Sequence, residues 1–217
     1  MERVTFRADD GVELEGELRE PDREVGGTAV ICHPHPREGG SKDHPLLWAI
    51  RNELAHRGLA VLSFNFRGVM GSGGRYAGGV SEVADVRAAV GYIREKGSGR
   101  TLVAGWSFGA DVALREALDD RRVAALALVG MPLSDFRSTL PDLPDRPALA
   151  RLGRPVLLVA GEADQFCPVP DLRALARRIP GADVAVLPGT DHFFWKRERE
   201  VAELIGAFAE RSLSLER

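Results

Sequence analysis

The chain has only two cysteines, Cys32 and Cys167, in 217 residues. Two thiols cannot make the multi-bridge framework that staples small secreted domains, so they read as reduced thiols of a cytoplasmic protein. Long hydrophobic runs are missing as well. The longest apolar stretches are of strand length, far short of a membrane span. Met1-Glu2-Arg3-Val4-Thr5 carries no apolar core segment, so no signal peptide is expected. Neither sign of charge dominates, with 29 Lys+Arg against 32 Asp+Glu and a net charge of -3. So balanced a chain, without a basic run, lacks the electrostatic footprint of a nucleic-acid or membrane-surface binder. Repeats, low-complexity tracts and linkers are also absent. With 44% hydrophobic and 28% charged residues, the composition suits one soluble globular domain over residues 1–217.

Hydrophobic patterning divides the chain into two regimes. Val4-Thr5-Phe6-Arg7 and Val12 to Leu18 alternate with period two around Asp9-Asp10-Gly11, the signature of a β-hairpin with one solvated face. From Thr28 onward the apolar runs become continuous: 28–32, 59–64, 101–104, 123–129, 155–160 and 184–187. Such runs predict strands buried on both faces between helix layers. Helical patterns fill the gaps at Pro45–His56, Glu82–Lys96, Ala110–Leu118, Asp171–Ile179 and Glu200–Leu213. The alternation predicts an α/β fold: a mostly parallel central sheet flanked by helices, with an antiparallel hairpin at its start. Met131–Arg154 holds Pro132, Pro141, Pro144 and Pro147, too many for one long helix, and can supply at most a short lid.

One pentapeptide carries chemistry. Gly105-Trp106-Ser107-Phe108-Gly109 follows an apolar run and opens a helical one. That context turns a common Gly-x-Ser-x-Gly pattern into a nucleophile elbow, with the serine on a sharp strand-to-helix turn beside a helix N-terminus. A serine nucleophile needs a base, and the base needs an orienting carboxylate. In elbow-type sites the chain order is serine, acid, histidine. His33, His35, His44 and His56 precede Ser107, which leaves His192 as the candidate base. The acid is expected to be Asp164, on the loop after run 155–160, with Glu162 on the same loop as the rival; Asp191 adjoins His192 in sequence and cannot readily face it.

An oxyanion hole needs two backbone N–H donors: the residue after the nucleophile, Phe108, and one from the loop Cys32-His33-Pro34-His35-Pro36-Arg37-Glu38-Gly39-Gly40. Proline has no N–H, so Pro34 and Pro36 are excluded and His35 is the expected donor. Aromatic residues gather on the same loops: Trp106, Phe108, Phe136, Phe166, Phe193, Phe194 and Trp195. Most should serve the core, Trp106 and Phe194 especially; Phe166 and Phe193 are the candidates to line an apolar substrate pocket.

Together these segments resemble the α/β-hydrolase superfamily, and within it small, nearly lidless bacterial members related to dienelactone hydrolases and esterases. The carriers are His33-Pro34-His35-Pro36 with Gly39-Gly40, Phe64-Asn65-Phe66-Arg67-Gly68-Val69, the elbow, Gly161-Glu162-Ala163-Asp164 and Gly189-Thr190-Asp191-His192-Phe193-Phe194. The resemblance implies an α/β-hydrolase fold with little or no cap and hydrolysis of a small ester, thioester or lactone through an acyl-serine, without cofactor or metal. It departs in two places. Similar chains continue Arg-Gly-Val with glycine, where Met70 stands here. Dienelactone hydrolases proper use a cysteine nucleophile, so their substrate does not carry over.

Rival readings fit less well. His33-x-His35 with Asp43-His44 could hold a metal, but seven residues separate His35 from Asp43 and two prolines stiffen the loop. The Arg67–Arg75 stretch lacks the Lys-Ser/Thr pair of a phosphate-binding loop, so Arg67 is expected to make structural hydrogen bonds, with an anionic substrate as the alternative. A non-catalytic scaffold on the same fold would show a damaged constellation, and none is visible.

Overall fold

The computed structural model describes residues 1–22, 26–97 and 99–215; the side chains of Asp135 and Phe136, the latter one of the site-loop aromatics, lie outside the described set. Eight strands form one sheet: β1 (Glu2–Arg7), β2 (Glu13–Arg19), β3 (Gly27–Cys32), β4 (Leu59–Phe64), β5 (Arg100–Trp106), β6 (Val123–Val129), β7 (Val156–Gly161) and β8 (Asp183–Leu187). Their order is β1-β2-β4-β3-β5-β6-β7-β8. The hairpin β1–β2 is antiparallel and joins β4 antiparallel; every other pairing is parallel. This is the mostly parallel sheet with an antiparallel opening hairpin that the patterning predicts, and it agrees with the fold that the resemblance implies.

The continuous apolar runs have the expected cause. Along β3, Val30 and Cys32 enter one core while Ala29 and Ile31 enter the other. Likewise Val103 of β5 faces one layer, and Leu102, Ala104 and Trp106 the other. Strands covered on both faces have no side to leave polar. The helices α2 (Glu82–Lys96), α3 (Phe108–Asp119) and α5 (Val169–Ala176) cover one face; α1 (Pro45–His56) and α6 (Glu198–Leu213) cover the other. Among the described residues no helix is long and apolar enough to cross a membrane.

The proline-rich segment forms a 3-10 turn, Asp135–Thr139, and a five-residue helix α4 (Arg146–Ala150). It is fastened rather than loose. Asp111 of α3, fully buried, pairs with Arg115 at 2.7 Å and with Arg137 at 2.8 Å. Arg115 also donates to the Pro141 and Asp142 carbonyls at 2.7 and 2.6 Å. The N–H groups of Leu133 and Ser134 both donate to the Phe166 carbonyl, at 2.8 and 3.2 Å.

Met70, the departure from glycine, has φ 48° and is exposed. The left-handed backbone that glycine would adopt freely is therefore kept by a methionine, at a cost of about 1–2 kcal/mol. Arg67 takes the structural role expected of it. Its buried guanidinium grips Asp85 through Nε at 2.9 Å and Nη2 at 2.6 Å, and reaches Asp10 through Nη1 at 2.7 Å.

Candidate active site

Ser107 sits between β5 and α3 with φ 54° and ψ -117°, a strained backbone for a residue with a side chain. The sheet and the helix hold it there. Its N–H extends the β5–β6 ladder to the Val129 carbonyl at 2.8 Å, and its own carbonyl accepts from Ala110 at 2.9 Å. The flanking glycines are needed for different contacts. A Cβ on Gly105 would lie 2.4 Å from the Gly109 carbonyl oxygen, so Gly105 lets α3 start directly above β5. A Cβ on Gly109 would lie 2.3 Å from the Cys32 carbonyl oxygen, so Gly109 lets the same helix meet the end of β3.

The loops after β7 and β8 bring Asp164 and His192 to that serine. His192 Nε2 lies 3.0 Å from Ser107 Oγ, and His192 Nδ1 lies 2.9 and 3.0 Å from the two Asp164 oxygens. Asp164 is buried, and its Oδ1 also accepts the Phe166 and Cys167 N–H groups at 2.9 Å each. A carboxylate can only accept, so the imidazole proton belongs on Nδ1 and the Nε2 lone pair faces the serine. Glu162, the rival acid, is turned away and accepts the Gly189 N–H at 2.9 Å. Asp191 caps its own loop, accepting the Phe193 N–H at 3.0 Å.

Two loops carrying one hydrogen-bonded pair must themselves be tied. The Ala163 N–H donates to the Thr190 carbonyl at 2.9 Å, and a Cβ on Gly161 would lie 2.2 Å from that same carbonyl oxygen. Trp106 Nε1 donates to the His192 carbonyl at 3.2 Å. Gly130, just past β6 with φ 54°, passes under the pair; a Cβ there would stand 3.1 Å from the His192 ring. The sequence reading missed Gly130, although a glycine closing an apolar strand run at the site end of the sheet is a readable signal.

On the other side of Ser107 lies the loop after β3. Buried His33 is its anchor. The Phe66 N–H donates to His33 Nε2 at 3.0 Å, which leaves the ring proton on Nδ1, and Nδ1 lies 2.7 Å from the Pro34 carbonyl oxygen. Burial pushes the His33 pKa down to about 4, so the ring is neutral near pH 7. That bond fixes the Pro34–His35 peptide. In a trans peptide the carbonyl and the N–H point in opposite directions, so the His35 N–H is aimed away from His33. Gly40 makes room, since a Cβ there would lie 2.2 Å from the Pro34 oxygen. Neither the His35 N–H nor the Phe108 N–H donates to another described residue. From sequence His33 is a residue of the loop motif and of the less favoured metal run; its structural role follows from burial, which the sequence does not display.

Of the lining candidates, the Phe166 ring is half-buried, 4.6 Å from the His192 ring, and the Phe193 ring is exposed at 5.8 Å from it. Trp106 and Phe194 are buried in the core, as expected, while Trp195 is exposed against His44. Cys32 and Cys167 are both free and buried, and burial pushes both thiols up. The histidines of the metal-like run have other partners: His44 Nδ1 caps α1 by accepting the Leu46 N–H at 3.2 Å, and His35 Nδ1 accepts the Arg37 N–H at 3.2 Å.

Fold and geometry together define a class, the α/β hydrolases. Residues 28–212 match the alpha/beta hydrolase domain family, and the chain belongs to it. It is similar to an alpha-beta serine hydrolase homologue from Coxiella burnetii, 31% identical, with TM-score 0.82 and coverage of 95% of this chain and 96% of that one. It is also similar to a serine hydrolase without lid from Xanthomonas campestris, 25% identical, with TM-score 0.82 and coverage of 100% and 96%. An uncharacterized protein of Rickettsia prowazekii is 26% identical over 216 residues, covering 96% of this chain and 88% of the relative.

Proposed function

We propose that the protein is a serine hydrolase that cleaves a small carboxylic ester, or a related thioester or lactone, through an acyl-serine. The observation that carries this reading is the chain of short contacts from buried Asp164 through His192 to Ser107, which stands on a turn with positive φ. The relation to serine hydrolases of the same fold supports it. Ser107 Oγ attacks the carbonyl carbon as His192 Nε2 takes its proton. The carbonyl π pair moves onto oxygen, and the N–H groups of His35 and Phe108 hold the resulting oxyanion, with the His33-Pro34-His35-Pro36 loop supplying the first donor. Collapse re-forms the C=O bond and breaks the bond to the leaving alcohol, which receives the proton from His192. Water then attacks the acyl-serine with His192 as base, and Ser107 recovers its proton. Asp164 keeps the imidazole in the productive tautomer and stabilises it when charged.

Phe166 and Phe193 beside the His192 ring would give the substrate an apolar wall, and the short, fastened segment 131–154 leaves room for a small or exposed ester. A fluorophosphonate probe tests the reading. Stoichiometric labelling of Ser107, lost in Ser107→Ala, is expected; a folded wild-type protein that resists labelling would instead favour a non-catalytic scaffold. A panel of p-nitrophenyl esters and acyl-CoA thioesters then ranks substrates.

A further inference from the structure

The half of the site opposite Phe166 and Phe193 carries a donor that the proposed reaction does not use. Ser107 directly follows β5, which lies between β3 and β6 in the sheet. Phe166 and Phe193 follow β7 and β8 on one side of it; His35 follows β3 and Tyr76 follows β4 on the other. The two sides of Ser107 are therefore unlike, and Tyr76 belongs to the second.

The Tyr76 hydroxyl lies 2.9 Å from His35 Nε2. His35 Nδ1 already accepts the Arg37 N–H, so the proton of the neutral ring sits on Nε2 and is donated to the tyrosine oxygen. Burial lowers the His35 pKa and raises that of Tyr76, which keeps both groups neutral near pH 7. The tyrosine oxygen is thus an acceptor toward His35, and its own hydrogen has no partner among the described residues. Both rings pack against Phe108, His35 at 5.5 Å and Tyr76 at 5.7 Å between centroids, which holds the phenol beside the residue expected to supply the second oxyanion N–H. The Arg37 guanidinium lies over the Tyr76 ring, 4.8 Å from its centroid, exposed and without an ion pair among the described residues.

We infer that Tyr76 and Arg37 form an acyl-side subsite that takes an oxygen acceptor, a ketone or best a carboxylate, carried by the substrate a few atoms from the scissile carbonyl. The inference rests on the serine-hydrolase reading and sharpens it to a substrate class: short acyl esters with an oxygen function at the far end of the acyl chain. The placement follows from the attack geometry. The leaving alcohol must face His192 to receive its proton, so it lies on the Phe166 side. The carbonyl oxygen would point to the His35 N–H, and the Tyr76 hydroxyl stands one imidazole and one hydrogen bond beyond that residue's backbone, on the side left to the acyl chain.

Three methyl esters of matched length separate the possibilities: methyl pentanoate, methyl levulinate with a ketone at the fourth acyl carbon, and monomethyl succinate with a carboxylate there. Wild type should prefer the two oxygen-bearing esters in kcat/KM. Tyr76→Phe should lower that preference about threefold to tenfold for levulinate and about tenfold to a hundredfold for succinate, as expected for losing a hydrogen bond to a neutral or a charged acceptor. Arg37→Gln should lower the preference for succinate alone. Equal ester ratios in wild type and Tyr76→Phe, in an enzyme whose Ser107 reacts with fluorophosphonate, would overturn the subsite and leave the serine-hydrolase reading standing. A wild-type protein that does not label would overturn both.

Discussion

On the β7–β8 side of Ser107 the site is made of side chains, Asp164 and His192; on the β3–β4 side it is made of backbone, the amide of His35 held by His33, Pro34 and Gly40. The first half depends on two hydrogen bonds between groups whose chemistry is plain from their identity. The second depends on the direction of one peptide plane, set by His33, Pro34 and Gly40. The two halves also meet different demands. An imidazole must stay free to gain and lose a proton, whereas an oxyanion donor works best when nothing about it changes during reaction. Accordingly His192 turns Nε2 to the Ser107 hydroxyl, while His33 is sealed in and bonded at both nitrogens to backbone groups.

This contrast can be broken from either side. Ser107→Ala should cost about four to six orders of magnitude in kcat, measured against the best ester of the panel; near-wild-type turnover would refute the assignment. Asp164→Asn keeps the shape of the side chain but offers the imidazole an amide, which allows the wrong tautomer. About a 10⁴-fold loss in kcat is expected, with circular dichroism checking that the fold survives. On the backbone side, His33→Gln should misdirect the His35 amide. A loss of about 10²–10³-fold in kcat with little change in KM is the signature of a missing oxyanion donor, and equal effects on kcat and stability alone would assign His33 to the core instead.

The smallest effect is on stability. The His33 pKa is pushed from the usual imidazole value down to about 4 in the folded protein, so as pH falls below about 6.5 the unfolded chain takes up a proton that the folded one refuses. The stability that a neutral, buried His33 contributes is full above pH ~6.5 and is lost progressively as pH falls toward 4, about 3 kcal/mol in all. Urea midpoints at pH 7, 5.5 and 4 should show this slope in wild type and a reduced one in His33→Gln. Parallel curves would mean that His33 is not the group titrating.

How much of this was legible in the chain depends on the kind of residue. The strands showed in their apolar runs, because burial on both faces leaves no polar positions, and the helix boundaries shifted by two or three residues: Asp171–Ile179 became Val169–Ala176, and the last helix begins at Glu198 rather than Glu200. Ser107, Asp164 and His192 were legible because few side chains can do their chemistry and because chain order in an elbow-type site removes most competitors. The roles of His33 and Tyr76 were not, and Gly130 offered a signal only in closing an apolar run. Each acts through where it stands: His33 through being buried at both nitrogens, Gly130 through the 3.1 Å that a Cβ would leave to His192, and Tyr76 through a partner 41 residues away. Met70 shows the same limit from the other direction, since a residue that departs from the expected glycine keeps the positive φ that a glycine would have supplied.

The order of strands in the sheet is the clearest division. Local periodicity determined that there would be an N-terminal hairpin and buried parallel strands, because side-chain period and burial are written residue by residue. It did not determine that β4 would lie between β2 and β3, so that the loops after β3 and β4 share one side of Ser107 and those after β7 and β8 share the other. Sequence alone named the proposed nucleophile, base and acid, since these are chemical identities. Only the tertiary structure decided which way the His35 amide points and which loops stand on each side of the serine. Those are relations between segments far apart in the chain, set by packing and by hydrogen bonds that form only when the sheet is assembled.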